Sequence, residues 1–159
     1  DGQAMQESTN AMNPAIMAGA NFIFQAAGWL ESGLTIGYEK FVMDAEQCGA
    51  LARVINGIEI DTDQLAGDAY REAGIGTNFL GVDHTMRHYK SANFGAELAD
   101  VTPFEQWSET GSKDMQQRAY ELWNRMLAEY EAPSIDPAID EALLEFIARK
   151  KASMEDAWY

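Results

Sequence analysis

The stretch FIFQAAGWLESGLTIGYEKFVMD, residues 22–44, decides how this chain is read. It opens as an uncharged apolar run, 22–26, whose length and composition suit a buried strand. Gly28, Gly33 and Gly37 then punctuate a loop that carries Trp29, Glu31 and Thr35. From Thr35 to Asn56 the pattern becomes helical. Tyr38, Phe41, Val42, Ala45, Cys48, Ala52 and Ile55 share one stripe, and Glu39, Lys40, Glu46, Gln47 and Arg53 lie mostly away from it. Strand, loop and helix in that order is the junction at which α/β proteins display functional side chains. A lone carboxylate, Glu31, beside the aromatic groups of Trp29 and Tyr38 suits a small organic cation. Trp29 and Tyr38 serve equally well as ordinary core residues.

Outward from that stretch the chain is mostly helical. Residues 3–20 carry Met5, Met12, Ile16 and Met17 near helical spacing, with Pro14 expected to end, start or kink the helix. Asn56-Gly57 is a helix stop, and Asp61 with Gln64 caps a short helix running to Ala73. Residues 78–81 read as extended, and Asp83 as the cap of a helix to about Lys90. Phe104 to Trp107 forms a short helix, Ser112 caps a long one, and Asp136-Pro137 starts the last, with Ile139, Leu143, Phe146 and Ile147 on its apolar face. One strand with six or seven helices cannot satisfy its own backbone, so its sheet partners are expected elsewhere. The chain opens at Asp1 without an initiator Met and reads as part of a longer protein.

Composition narrows the function. The 159 residues are 47% hydrophobic and 23% charged, which is globular. The 26 acidic residues outnumber the 11 basic ones, for a net charge of −15, which argues against nucleic acid and against an anionic membrane surface. The single cysteine, Cys48, reads as an inert thiol in a helix. With no signal peptide and no spanning apolar run, the expected setting is cytoplasmic.

Few motifs carry chemistry. There is no phosphate loop, no nucleophile elbow and no dinucleotide fingerprint. His84 and His88, an i,i+4 pair, can face one another as metal ligands. The residue after His84 is Thr85 rather than Glu, however, and no further Cys or His stands nearby to complete a site. Capping, hydrogen-bonded or surface roles are the ordinary reading, with substrate or partner contact also open; no metal is expected. Gln3 and Glu7 belong either to a solvated first helical turn or to the rim of a site that an upstream strand would open onto.

Four blocks, Asp1-Gly2-Gln3-Ala4, Ala18-Gly19-Ala20-Asn21-Phe22-Ile23, Ala27-Gly28-Trp29-Leu30-Glu31-Ser32-Gly33-Leu34-Thr35 and Tyr38-Glu39-Lys40-Phe41-Val42-Met43-Asp44, resemble the trimethylamine–corrinoid protein methyltransferase family. The likeness continues through Phe79-Leu80-Gly81, His84-Thr85, Phe104-Glu105-Gln106-Trp107, Glu129-Tyr130-Glu131-Ala132-Pro133 and Ile139-Asp140-Glu141-Ala142-Leu143. It implies an α/β fold, with this chain as the carboxyl-terminal part of a (β/α)8 TIM barrel. Residues 1–60 would supply the last strand and the active-face loop, and 61–159 a helical extension. It implies methyl transfer from trimethylamine or a related quaternary amine to a corrinoid carried by a partner protein, with no cofactor bound directly and further copies of the chain in an oligomer. Some members use pyrrolysine, at a position expected upstream of this chain. Glu31, Gln3, Glu7, Tyr38 and Trp29 would then line part of the amine site, and the catalytic residues are not identified. A non-catalytic helical interaction module is the alternative.

Overall fold

A computed structural model describes residues 2–154 of the chain; Asp1, at the head of the family resemblance, lies outside them. The described residues are mostly helical, with one small antiparallel sheet. In order they form α1 (Gly2–Met17), β1 (Trp29–Leu30), β2 (Thr35–Ile36), α2 (Tyr38–Asn56), α3 (Gly67–Ala73), α4 (Asp83–His88), α5 (Phe104–Glu109), α6 (Met115–Ala128) and α7 (Pro137–Ser153). Two compact units divide the chain, Asp1–Met126 and Leu127–Tyr159.

The expected strand at 22–26 is not formed. The segment is irregular, and Phe22 and Phe24 are 79% and 77% exposed. Among the described residues no strand lies beside it, so an extended backbone there would have no ladder to join. The sheet lies just beyond, as a hairpin pairing Trp29 with Ile36 and Leu30 with Thr35. The Gly37 N–H donates to the Gly28 carbonyl at 3.0 Å and closes the hairpin's base.

Pro14 does not break α1, which runs from Gly2 to Met17. Proline deprives the Asn10 carbonyl of its donor, but Asn10 is exposed and water can replace the lost bond. The helix stops where Gly19, at φ +79°, donates its N–H to the Ile16 carbonyl. Helix α2 ends as the sequence predicts, with Gly57 at φ +71° bonding back to Val54. Residues 78–81 are turns rather than extended backbone. Asp61 accepts the Gln64 N–H at 2.7 Å as its spacing suggests. The helix start expected at Ser112 belongs to Asp114, whose carboxylate accepts the Gln117 N–H at 2.8 Å while the Gln117 side chain accepts the Asp114 N–H at 2.9 Å. This reciprocal pair is a capping box.

Helix α2 buries only part of the expected stripe. Val42 is buried and Cys48 half-buried, but Tyr38, Phe41, Ala45, Ala52 and Ile55 are exposed, and Lys40, Met43 and Asp44, off the stripe, are buried instead. The reason is α1, which packs on the other face: Ser8 meets Lys40, and Thr9 accepts a hydrogen bond from Gln47 at 2.5 Å. The core of this unit joins Val42, Met43, Leu98 and Ala119, with Met5, Met115, Leu122 and Trp123 against it. Leu98 is only 2% exposed. It is seated by a carboxylate: Glu46 on α2 accepts the backbone N–H groups of Glu97, Leu98 and Ala99 at 2.5, 2.6 and 2.9 Å. Arg118 on α6 donates to the Leu98 carbonyl at 2.7 Å. These charge-assisted bonds pin a non-helical strap between two helices.

In the second unit, Asp136 caps α7 by accepting the Ala138 N–H at 2.9 Å, with Pro137 in the first turn. Ile139, Leu143, Phe146 and Ile147 of α7 are exposed. No helix among the described residues is long and apolar enough to cross a membrane.

Candidate functional site

The hairpin carries Glu31 at its tip, in a strained backbone. Glu31, Ser32 and Gly33 all have positive φ, at 51°, 56° and 89°. Glycine adopts this region freely, but Glu and Ser do so at a cost of about 1–2 kcal/mol each. Strain of this kind is kept where the surroundings enforce it, and it concentrates at functional positions. The Thr35 hydroxyl donates to Glu31 Oε2 at 2.9 Å, and both residues are exposed. The ring of Trp29, half-buried, lies over Gly33.

The base of the loop is fastened by charge. Asp44 Oδ2 accepts the Gly28 N–H at 2.9 Å. Lys40 Nζ donates to Asp44 Oδ1 and Oδ2 at 2.5 Å and to Ser8 Oγ at 2.6 Å. Lys40 and Asp44 are 7% and 3% exposed, so the pair is withdrawn from water. Gly28 has φ +86°, and a Cβ there would stand 3.2–3.3 Å from Phe41 and Ile36. The Gly28 position therefore requires glycine twice over, for its backbone and for its surroundings. The network ties α1, the loop and α2 at one point. Sequence reading missed it because Lys40 falls on the polar side of the helical stripe. The available signal was the i,i+4 spacing of Lys40 and Asp44, one turn apart on one face.

The five residues expected to line a site do not meet in one place. Gln3 donates to Glu7 at 2.8 Å on the exposed face of α1. Glu31 is joined to Thr35. Tyr38 stacks on Trp123, with ring centroids 5.0 Å apart, and Trp123 Nε1 donates to Glu39 at 3.0 Å. Among the described residues no hydrogen bond or ring contact links Glu31 to Trp29 or Tyr38. A cleft of about 580 Å³ runs beside the hairpin, lined by Met5, Leu30, Glu39, Lys40, Met43 and Met115 among others. Its walls come from neighbours of the expected residues rather than from those residues themselves.

Elsewhere in this unit His84 and His88 turn toward Asp63. His84 Nε2 lies 2.8 Å from the Asp63 carbonyl oxygen, and His88 Nε2 lies 2.6 Å from Asp63 Oδ2. Arg87 holds Asp63 Oδ1 at 2.6 Å. Hydrogen bonds from Arg87 and then His88 keep the Asp63 carboxyl below its usual range. Burial, with the Asp44 charge adding to it, pushes the Cys48 thiol up.

Comparison with known proteins gives these features a context. A sequence model described as trimethylamine methyltransferase (MTTB) matches residues 1–155. A glycine betaine methyltransferase of Desulfitobacterium hafniense (strain Y51) is 35% identical over 150 residues, covering 94% of this chain and 31% of that protein. The trimethylamine methyltransferase MttB of D. hafniense (strain DSM 10664 / DCB-2) is 35% identical over 130 residues, covering 82% of this chain and 26% of the relative. The MttB of Methanosarcina barkeri is 32% identical over 139 residues, covering 87% and 28%. The chain thus spans less than a third of the length of these relatives. With its match running almost end to end, the chain belongs to the trimethylamine methyltransferase (MTTB) family.

Proposed function

We propose that this chain is the carboxyl-terminal part of an enzyme that moves a methyl group from a methylated amine to a corrinoid carried by a partner protein. The match over residues 1–155 carries this reading. The names of the relatives frame the substrate as trimethylamine or glycine betaine, which share a methylated nitrogen cation. On this reading residues 1–60 complete a (β/α)8 barrel, and 61–159 form a helical extension.

The uncovered apolar groups support the barrel. Phe22, Phe24, Ile36 and Phe41 are exposed on and beside the hairpin, and large apolar side chains clustered in sequence and left bare favour a covering partner. Earlier strands of a barrel would pair with 22–26 and cover this face. The strained Glu31 tip would then stand at the carboxyl end of a strand, where barrel enzymes hold their substrates.

The chemistry asks little of the protein beyond placement. The C–N bond breaks with its electron pair left on nitrogen, and the methyl carbon bonds to the reduced cobalt of the partner's corrinoid, which supplies the electron pair for that bond. The enzyme's work is to hold the amine in line and exclude alternatives. On this reading Glu31 would attract the ammonium charge and Trp29 would offer an aromatic face to its methyl groups, whereas Tyr38 is stacked on Trp123. Gln3 and Glu7 would sit on the same rim. Oligomerisation and a cytoplasmic setting complete the proposal.

Glu31→Gln in the full-length protein tests the role of the loop. It removes a charge–cation attraction while keeping the side chain's shape. Methyl transfer to cobalamin should show a raised KM for the amine, with kcat/KM reduced by about 10-fold or more, the equivalent of about 1.4 kcal/mol. An unchanged KM would remove Glu31 from the site.

A further inference from the structure

We infer that Asp63, His84 and His88 form a binding site for a zinc-class divalent cation, one that ties the 61–66 turn to α4. The chain has only two histidines, and both converge on one aspartate more than twenty residues upstream. They stand one turn apart on α4, with ring centroids 4.6 Å apart. One donor atom from each of the three residues lies within 4.8 Å of the others. Around tetrahedral zinc the ligand atoms sit about 2.0–2.2 Å from the ion, so about 3.3–3.6 Å from each other. Reaching that arrangement would move the donor atoms of Asp63, His84 and His88 by no more than about an ångström or two. The Asp63 carbonyl oxygen, already 2.8 Å from His84 Nε2, stands close enough to serve as a fourth donor.

Two imidazoles with carboxylate oxygen form a borderline donor set that suits zinc or cobalt rather than magnesium or calcium. Arg87 holds Asp63 Oδ1, a support that orients a ligating carboxylate, and an ion would take the place of the proton now shared between Oδ2 and His88 Nε2. The positive charge of Arg87 is offset by the carboxylates of Glu72 and Asp83 lining the same hollow, whereas Asp68 there is paired with Arg71. The site is open to solvent: the Asp63 and His88 side chains are 46% and 26% exposed. Between Gly57 and Val82 only Ala69 and Val82 are buried, so apolar packing does little to hold this region. A bound ion would supply the missing cross-link, as structural metals do in small domains. The inference is independent of the methyl-transfer proposal.

The test uses the tag-free full-length protein that contains this sequence, stripped with EDTA and titrated with Co²⁺ and then Zn²⁺. The expected result is one equivalent of cobalt, with the visible absorption of a four-coordinate ion, displaced by zinc. Asp63→Asn and His88→Asn should each weaken binding by about 10- to 100-fold, while Asp68→Asn leaves it unchanged. Long-range ¹⁵N spectra of the unmutated chain should show both Nε2 resonances moving when zinc is added, a readout that does not depend on the variants folding. No saturable uptake, unmoved Nε2 resonances, or uptake equal in His84→Asn/His88→Asn would overturn the proposal.

Discussion

Replacing Lys40 with Met should destabilise the chain far more than its position on a helix surface pattern suggests. Lys40 Nζ makes three bonds, two to Asp44 and one to Ser8, and both charged groups are nearly withdrawn from water. The helix alone gives no reason for the pair. Lysine in the first turn opposes the helix dipole, and a cation placed before the anion is the weaker order for an i,i+4 pair. Without Lys40, the Asp44 carboxylate stays buried with only the Gly28 N–H as partner. Breaking a buried pair by removing one member costs about 3–5 kcal/mol. That is a large part of the roughly 5–15 kcal/mol that holds a domain together. Asp44→Leu should cost at least as much, because it strands both Lys40 and the Gly28 amide. The double variant Lys40→Met/Asp44→Leu removes both charges, and its remaining defect is one unpaired buried N–H, worth about 1–3 kcal/mol. The two singles should therefore be non-additive by several kcal/mol. Urea unfolding followed by far-UV circular dichroism measures this, as midpoint shifts at unchanged slope. Single variants costing about 1 kcal/mol or less, the range of exposed ion pairs, would refute the reasoning, as would additive costs.

Gly28→Ala should destabilise by about 1–3 kcal/mol, chiefly because φ +86° disfavours any side chain, with Phe41 and Ile36 also having to give by a few tenths of an ångström; an unfolding midpoint equal to that of the parent would contradict this. Asp100 accepts both the Thr102 hydroxyl and the Thr102 N–H, at 2.6 and 2.9 Å, and these bonds lower its pKa. A carboxyl lowered by folding adds stability above its unfolded value, near 3.9, and loses that contribution as pH falls through the folded value. Thr102→Val should move the Asp100 titration back up, as read by carboxyl ¹³C shifts; a titration unmoved by the substitution would show that the hydroxyl is not the cause.

Local chemistry was the legible part of this sequence. Asp136-Pro137 and Asn56-Gly57 carry their own instructions within a few residues, and each forms as read; Asp61 makes its expected bond to Gln64, but it closes a turn and the helix starts only at Gly67. What the sequence could not reveal depends on neighbours. Residues 22–26 have the composition of a strand, but pairing decides strands, and no neighbouring strand lies beside them among the described residues. The α2 stripe held only at Val42 and Cys48, since which face of α2 is buried is decided by α1 as well as by the periodicity of α2. Pro14 shows the opposite error, a breaker tolerated because the carbonyl it orphans is exposed.

At the site, Glu31 was visible as a carboxylate among glycines, but its positive φ was not. Nor was Asp63, which reaches His84 and His88 through a tertiary contact that no spacing rule encodes. Tyr38 was read as a companion of Trp29 and instead stacks on Trp123, 85 residues further along. Residues separated by that distance meet only when the chain folds.

The most direct measurement of the central claim is methyl transfer by the full-length protein that contains this sequence. Reduced cobalamin, or a partner corrinoid protein, would be mixed with the enzyme and either trimethylamine or glycine betaine, and methylcobalamin followed by absorbance. The account predicts enzyme-dependent methylation of cobalt with at least one of these amines. Absence of methylation with every methylated amine, under conditions where a known relative is active, would contradict it.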